Sequence, residues 1–195
     1  GGDGERYILL VAAHAVVAVD RKTGVAADGM LSAEILARSG RSVVVSLRMA
    51  EPTGLRKTAG GWFVNTGVPH LVRFVEDVAV VDVETEGRRL RNLPEFVPAG
   101  GVNVNFVQVL GKDSLRVRTY ERGVEHETLA CGTGAVASAV AASMAVAKGV
   151  ECFAIEVLGG RLGVAFRTDD NRFEEVTLTG PARRVFEGSF DVENF

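Results

Sequence analysis

The sequence predicts an α+β fold, and three observations lead to this class. Most of the chain divides into short strand-like stretches, separated by turn-forming clusters at hairpin spacing. Two stretches of small apolar residues, 6–19 and 135–147, have no polar stripe and follow glycines, which is typical of helices buried on most sides. The helices that a doubly wound parallel sheet needs between its strands are missing.

Taken in order, the elements begin with the predicted helix over Arg6 to Val19. A second helix of similar composition follows Cys131, and this likeness suggests an internal duplication. Pro52-Thr53-Gly54 is the best boundary between a short first unit and a longer second unit. The predicted strands are 30–36, 42–48, 61–65, 70–75, 102–110, 115–120, 152–158, 160–167 and 174–179.

Composition limits the kind of protein and the kind of partner. The chain has 195 residues and 47% hydrophobic content, which is enough for a real core. Its formal net charge of −3, with acids and bases interspersed, gives no surface for nucleic acid and no polybasic patch for a membrane. No apolar run reaches the roughly 18 residues of a membrane span, and no signal segment opens the chain. We therefore expect a cytoplasmic protein with a small-molecule ligand.

Cys131 is the residue around which the candidate site is built. It stands before Gly132-Thr133-Gly134 at a predicted helix start, where unpaired N–H groups and the helix dipole stabilise an anion. This position predicts a ligand-accessible thiol of low pKa. The alternative is that Cys131 is a small buried hydrophobic residue. The two following glycines, and Glu121 and Arg122 upstream, favour the reactive thiol.

The second cysteine and the histidines do not indicate a metal site. Cys152 lies in a predicted strand without glycines or charge partners, so we interpret it as structural. A pair of cysteines in a cytosolic chain is more often two free thiols than a disulfide. His14, His70 and His126 stand at no recognisable zinc spacing, and we predict no metal.

Six motifs stand in order over almost all of the second unit and just beyond it. They are Gly67-Val68-Pro69-His70, Val102-Asn103-Val104-Asn105-Phe106, Tyr120-Glu121-Arg122-Gly123, Ala130-Cys131-Gly132-Thr133-Gly134, Leu178-Thr179-Gly180-Pro181-Ala182 and Val185-Phe186-Glu187-Gly188. Together they resemble diaminopimelate epimerase. The resemblance implies a cofactor-independent isomerase in lysine and cell-wall precursor biosynthesis, which interconverts LL- and meso-diaminopimelate by two-base proton transfer at the α-carbon, with a thiolate that removes a proton and a thiol that returns one. Its ligand is a small molecule, and a homodimer stays open.

The family's fold implies two pseudo-symmetric domains, each with a mostly antiparallel sheet wrapped around a central helix, and a cleft between them. On this resemblance, residues 1–47 are the remnant of an incomplete first domain, with its central helix and the following strands. Residues 48–184 form the second domain, and 185–195 return to the first. The family's first thiol would stand at Gly1, followed by substrate-binding Gly2 and Asp3, with further early strands upstream.

The resemblance also implies a role for each matching site residue in the second domain. Cys131 is the second catalytic thiol, Glu121 holds the reacting ammonium, and His70 supports catalysis.

Other matching residues bind the two carboxylates of the substrate. Gly132 and Thr133 supply N–H donors to the reacting carboxylate, because no cofactor absorbs the carbanion. Arg122 and Asn103 bind the distal carboxylate, for which a planar guanidinium suits. Val68 stands where many members have Asn, so one distal contact is missing or is taken over by Asn65.

Two other readings of the sequence stay open. Proline or hydroxyproline racemases and phenazine-type isomerases share this kind of fold, although Glu121-Arg122 argues against them. The chain could also be a catalytically silent module that binds a ligand or a partner.

Overall fold

The computed structural model describes residues 8–12, 15–19, 23–26, 29–170 and 172–183, which contain fourteen strands and two α-helices. The helices are α1 (Val83–Arg91) and α2 (Gly132–Ala145), and two 3-10 turns lie at Val78–Val80 and Val97–Ala99. The strands are β1 (Ile8–Ala12), β2 (Ala15–Val19), β3 (Thr23–Ala26), β4 (Gly29–Ser39), β5 (Ser42–Arg48), β6 (Thr53–Lys57), β7 (Trp62–Asn65), β8 (Pro69–Phe74), β9 (Asn103–Gly111), β10 (Ser114–Glu121), β11 (His126–Thr128), β12 (Cys152–Val157), β13 (Gly160–Asp169) and β14 (Arg172–Arg183).

One sheet connects all of these strands. Its order is β1-β2-β3-β4-β5-β14-β13-β12-β10-β9-β8-β7-β6, with β11 paired to β10 off this path. Neighbours are antiparallel except for β8 with β9 and β10 with β12, which are parallel. The predicted α+β class is confirmed. Each of the nine predicted strands is present within a few residues of its expected bounds. Strands β3, β6 and β11 were not expected, and β1 and β2 lie where a helix was predicted.

The sheet from β7 to β14 curves around α2. That helix is apolar on every side, and its residues 134–143 are all buried. Its Ala, Gly and Ser side chains are short, so strands can approach it closely from several directions. It packs against β7, β8, β9, β10, β12, β13 and β14, and valine, phenylalanine and leucine side chains of these strands complete the main core.

The opposite face of the sheet carries α1, a helix that was not predicted from the sequence. Asp82 caps its first turn by accepting a hydrogen bond from the Thr85 N–H at 3.1 Å. Acidic residues occupy the first turn and arginines the last, as the helix dipole favours. Gly87 lies so close to Tyr120 of β10 that a Cβ would come within 2.4 Å of the tyrosine Cβ. The acid-to-base gradient after Asp82 could have revealed this helix.

The predicted helix over 6–19 is wrong where the structure describes this segment. Ile8–Ala12 and Ala15–Val19 are strands, paired antiparallel from Ile8 opposite Val19 to Ala12 opposite Ala15. A wholly apolar run has no periodicity to separate a buried helix from buried strands, and its many β-branched residues favour strands. The expected symmetry of two central helices is therefore absent from the described residues.

The division into domains at 47 and 184 stays a prediction. Strand β5 of the first unit pairs along its whole length with the carboxyl half of β14, from Ser42 opposite Arg183 to Arg48 opposite Thr177. The tail 185–195 lies outside the described residues. Within the described part of the chain, neither α-helix has the length and apolarity needed to cross a bilayer.

Candidate active site

Cys131 lies immediately before the first residue of α2, in an extended conformation (φ −129°, ψ 111°). Its carbonyl oxygen accepts the Ala135 N–H at 2.9 Å, which begins the helical hydrogen bonds. The N–H groups of Thr133 and Gly134 donate to its sulfur, and the Thr133 hydroxyl oxygen is 3.4 Å from that sulfur. The amino end of the helix is therefore directed at the thiol, as predicted.

The expectation of a low pKa for this thiol is wrong. Burial raises the pKa of Cys131 to about 11, and the nearby Glu121 carboxylate adds to the increase. The hydrogen bonds from Thr133 and Gly134 act in the opposite direction but do not outweigh these two causes. Only 6% of the residue is exposed, so it is also poorly accessible in this structure. The sequence predicted the helix start correctly, but it did not reveal how close Glu121 lies to the thiol or how deeply Cys131 is buried.

Glu121 ends β10 and brings a carboxylate to the same region. Its Oε2 atom is buried and has no hydrogen-bond partner among the described residues. A buried carboxylate oxygen without a partner is costly, and a cationic ligand would satisfy it. This state agrees with the ammonium-binding role expected for Glu121.

Arg122 and Asn103 form a second part of the site, next to Glu121. The Arg122 backbone N–H donates to Asn103 Oδ1 at 2.7 Å. Its Nη1 donates to the carbonyl oxygens of Ala99 and Gly101 at 3.2 and 3.3 Å. These bonds hold the guanidinium through one nitrogen, and the described residues offer no hydrogen-bond partner to its Nε and Nη2. That free edge has the geometry that a carboxylate needs.

His70 lies in β8, fully buried, and belongs to a chain of polar side chains across three strands. Its Nδ1 is 2.8 Å from Asn105 Oδ1, and Asn105 Nδ2 donates to Thr119 Oγ1 at 2.8 Å. Burial lowers the pKa of His70 to about 4, and the positive charge of Arg122 lowers it further, while the Asn105 hydrogen bond acts in the opposite direction. The imidazole is therefore neutral at physiological pH.

Sequence reasoning missed Asn105 and Thr119 as partners of this histidine. The signal was strand parity, because side chains two residues apart face the same side of a sheet. Asn103 and Asn105 share one face of β9, and Thr119 lies directly opposite Asn105 on β10. A third missed residue is Thr66, which is buried and whose hydroxyl donates to the Thr133 carbonyl at 3.1 Å.

Three other expectations have different outcomes. Cys152 lies in a strand as predicted, and its side chain is exposed there. Gly2 and Asp3 lie outside the described residues. Asn65 Oδ1 accepts the N–H of Gly67 at 3.0 Å, so this oxygen stabilises the turn beside Val68. In the described part of the chain, no three His, Cys, Asp or Glu side chains come together as metal ligands would.

Comparison with known proteins identifies the family. Residues 62–185 match the model of the family described as diaminopimelate epimerase. Among curated relatives, the diaminopimelate epimerase of Flavobacterium psychrophilum is 36% identical over 186 residues, which is 95% of this chain and 71% of the relative. The chain belongs to the diaminopimelate epimerase family. The predicted family, and its enzyme class, an isomerase, are therefore confirmed.

Other members of the family are longer than this chain. The chain covers 60% of the Aquifex aeolicus diaminopimelate epimerase at 45% identity, with 85% of the chain aligned. For the Chlorobaculum tepidum enzyme, the values are 57% of the relative, 40% identity and 74% of the chain. The chain thus spans between about half and three quarters of these relatives.

Solved structures support the fold. A phenazine biosynthesis protein of the PhzF family from Bacillus anthracis aligns with a TM-score of 0.63 at 13% identity, covering 89% of this chain and 70% of that structure. A probable proline racemase from Agrobacterium radiobacter aligns with a TM-score of 0.56 at 16% identity, covering 95% and 63%. At these identities the similarity shows a shared fold only.

Proposed function

We propose that this chain takes part in a cofactor-independent epimerisation of diaminopimelate, with Cys131 as one of the two acid–base groups. Membership of the family supports the reaction. The observation that carries the proposal is the position of the Cys131 thiol, which lies at the amino end of α2 and within the field of the Glu121 carboxylate.

The chemistry begins at the α-carbon of the substrate. An α-hydrogen of an amino acid is a very weak acid, so its removal needs a strong base and a stabilised carbanion. A thiol whose pKa is raised gives a thiolate of high basicity. The N–H groups of Thr133 and Gly134 donate to the sulfur and would stabilise the thiolate. The Gly132 N–H and the dipole of α2 would stabilise the negative charge that develops on the reacting carboxylate of the substrate, and the Thr133 N–H would be shared between that carboxylate and the sulfur.

Recognition of the substrate would use the charges that lie next to the thiol. Glu121 is the acceptor for the reacting ammonium, and its buried Oε2 gains a partner when that group binds. Ion pairing with the ammonium would offset the part of the pKa increase of Cys131 that the Glu121 charge causes, and so would make the thiolate easier to form. Arg122, oriented by Asn103, is the partner for the distal carboxylate.

Inversion requires a second acid–base group on the opposite face of the α-carbon. The resemblance puts that group at the position of Gly1, outside the described residues. The other cysteine, Cys152, is exposed on β12. On this proposal, Cys131 alone can remove a proton and return it to its own face, so hydrogen exchange and inversion are separable.

The experiment uses this chain in heavy water with one diaminopimelate stereoisomer. Chiral chromatography with mass detection reads exchange and inversion together. We expect slow exchange with retention, which Cys131→Ala abolishes and Cys152→Ala leaves unchanged, and inversion in a longer chain with Cys at the Gly1 position.

The outcomes separate the alternatives. Efficient inversion by the 195-residue chain alone would contradict the two-thiol account. Binding of diaminopimelate without exchange in either form would favour the silent ligand-binding module. Exchange of proline, with none of diaminopimelate, would favour a proline-racemase-like reaction.

A further inference from the structure

A row of three buried polar side chains crosses the sheet beside α2. His70, Asn105 and Thr119 come from three adjacent strands, β8, β9 and β10, and are 0%, 0% and 3% exposed. Asn105 and Thr119 lie directly opposite each other in the antiparallel pair of β9 and β10. In the parallel pair of β8 and β9, His70 lies beside Asn103, two residues before Asn105. Such a fully buried polar row is expensive unless its hydrogen bonds are satisfied.

The hydrogen bonds in this row have a direction. Asn105 Nδ2 donates to Thr119 Oγ1, so the amide oxygen faces the imidazole. A carboxamide oxygen only accepts hydrogen bonds, and His70 Nδ1 must therefore carry the proton that is donated across the 2.8 Å contact. In a neutral imidazole the other nitrogen, Nε2, then has a free lone pair.

Helix α2 limits the movement of the Asn105 amide. A Cβ on Gly134 would lie 2.3 Å from Asn105 Nδ2, so the amide packs directly against the backbone of the helix. The glycine leaves room for the side chain, and the helix on one side and Thr119 on the other leave it little freedom.

The remaining nitrogen of His70 is the part of the row that lacks a partner. Its Nε2 is buried and accepts no hydrogen bond from any described residue. Arg122 is the charged group whose field reaches the imidazole, and its positive charge disfavours an imidazolium. A ligand that brings a hydrogen-bond donor to Nε2 would satisfy this buried acceptor.

We propose that Asn105 and Thr119 are positioning residues that hold His70 as the neutral tautomer protonated at Nδ1, so that Nε2 acts as a hydrogen-bond acceptor for the bound ligand. The proposal rests on the function proposed above only in its assignment of the ligand. In this account His70 is not a cationic or proton-donating residue, and neither partner touches the substrate. The tautomer of His70 therefore depends on Thr119, which lies two strands away on β10.

The direct test is the tautomer of His70 in the free protein. Nitrogen-15 NMR of the whole chain labelled at histidine distinguishes protonated from unprotonated ring nitrogens, and His70→Asn identifies the His70 signals. We expect Nδ1 protonated and Nε2 unprotonated between pH 6 and 8. A proton on Nε2, or an imidazolium in this range, would overturn the proposal.

Variants of Thr119 test whether this row of hydrogen bonds determines the tautomer of His70. Thr119→Val removes the acceptor that orients the amide, so the Nε2-protonated form should become populated, whereas Thr119→Ser should restore the original tautomer. Thr177→Val is a matched control, because Thr177 also makes a partly buried hydroxyl bond, to the Ala165 carbonyl at 3.3 Å on β13. Unchanged His70 signals in folded Thr119→Val would also overturn the proposal.

A second readout follows the chemistry. A wrong tautomer of a catalytic imidazole can cost about 10⁴ in kcat, so we expect Thr119→Val to slow α-proton exchange by at least about tenfold, with rescue by Thr119→Ser. Absence of exchange in the parent chain would count against the proposed function and leave the tautomer measurement decisive. Normal exchange in a Thr119→Val protein with an altered tautomer would overturn the positioning role.

Discussion

The Cys131 thiol lies within the field of the Glu121 carboxylate: burial raises the pKa of the thiol to about 11, and the negative charge of Glu121 adds to the increase. The two residues are ten positions apart, at the end of β10 and the start of α2. A thiol at a helix start would otherwise be acidified by the dipole and the N–H donors. The carboxylate that is expected to bind the ammonium therefore acts with burial to favour the thiol over the thiolate.

Glu121→Gln should make Cys131 react faster with iodoacetamide. The substitution keeps the shape but removes the charge, so the pKa of the thiol falls and its thiolate fraction below that pKa rises, by roughly several-fold to tenfold. The measurement is mass spectrometry of alkylation at pH 8. Exposed Cys152 is the internal reference and should react first in the parent chain, opposite to the expectation from sequence.

Glu156→Gln is the matched control, because it makes the same change of net charge at a surface ion pair between Glu156 of β12 and Arg116 of β10. Equal acceleration of Cys131 in both variants would show a general charge effect and would remove Glu121 as the cause.

Arg122→Lys should weaken binding of diaminopimelate but scarcely affect lysine, which lacks the distal carboxylate. Lysine at this position keeps the charge but cannot bridge two carbonyl groups and a carboxylate with one planar group. We expect a loss of about 1.5–3 kcal/mol for diaminopimelate by calorimetric titration. A similar loss for both ligands would rule out recognition of the distal carboxylate by Arg122.

The pH dependence of stability should report the buried His70. Its pKa of about 4 lies below the unfolded value of about 6.5, so between these values the unfolded chain binds more protons. The contribution of the neutral, buried His70 to the free energy of unfolding should therefore be complete above about pH 6.5. It should fall as the pH decreases below this value, by up to about 1.4 kcal/mol per pH unit. Urea titrations between pH 7 and 5 measure the slope.

The control for this slope is His126→Gln, since His126 is exposed beside Glu84. The variant should retain the dependence on pH, whereas folded His70→Gln should lose most of it. A slope that survives in His70→Gln would assign the effect to other groups.

The sequence predicted those parts of the molecule that local patterns determine. The strands of the second unit and the glycine-led helix after Cys131 follow from alternation, turn residues and small side chains. The predicted helix over 6–19 was wrong because an apolar hairpin and a buried helix can have the same composition. Helix α1 was missed although Asp82 caps its first turn.

The candidate site was likewise predicted only in part. The family motifs contain Cys131, Glu121, Arg122 and His70, and the structure brings these residues to neighbouring strand ends and the start of α2. Their electrostatics could not be read from sequence, because the pKa of a thiol depends on burial and on a charge that another element supplies. Thr119 belongs to no motif, and only the register of β9 and β10 connects it to His70 through Asn105.

Gly134→Ala tests whether the Asn105 amide and α2 are packed as tightly as the row of buried polar groups requires. Alanine normally stabilises a helix interior by about 0.5–1 kcal/mol relative to glycine. Here the added Cβ would lie 2.3 Å from Asn105 Nδ2, so we expect a loss of about 1–3 kcal/mol in the free energy of unfolding. Gly163→Ala is the control, since its nearest neighbour is at 3.7 Å.

The double variant separates this contact from every other cost of the substitution. In an Asn105→Ala background the obstructing amide is gone, so Gly134→Ala should become neutral or stabilising, with a coupling of about 1–3 kcal/mol between the two positions. Urea unfolding of the four proteins measures it. If Gly134→Ala were equally destabilising in both backgrounds, the close approach of Asn105 to α2 would not be the reason for glycine at this position, and α2 would not restrain the amide that orients His70.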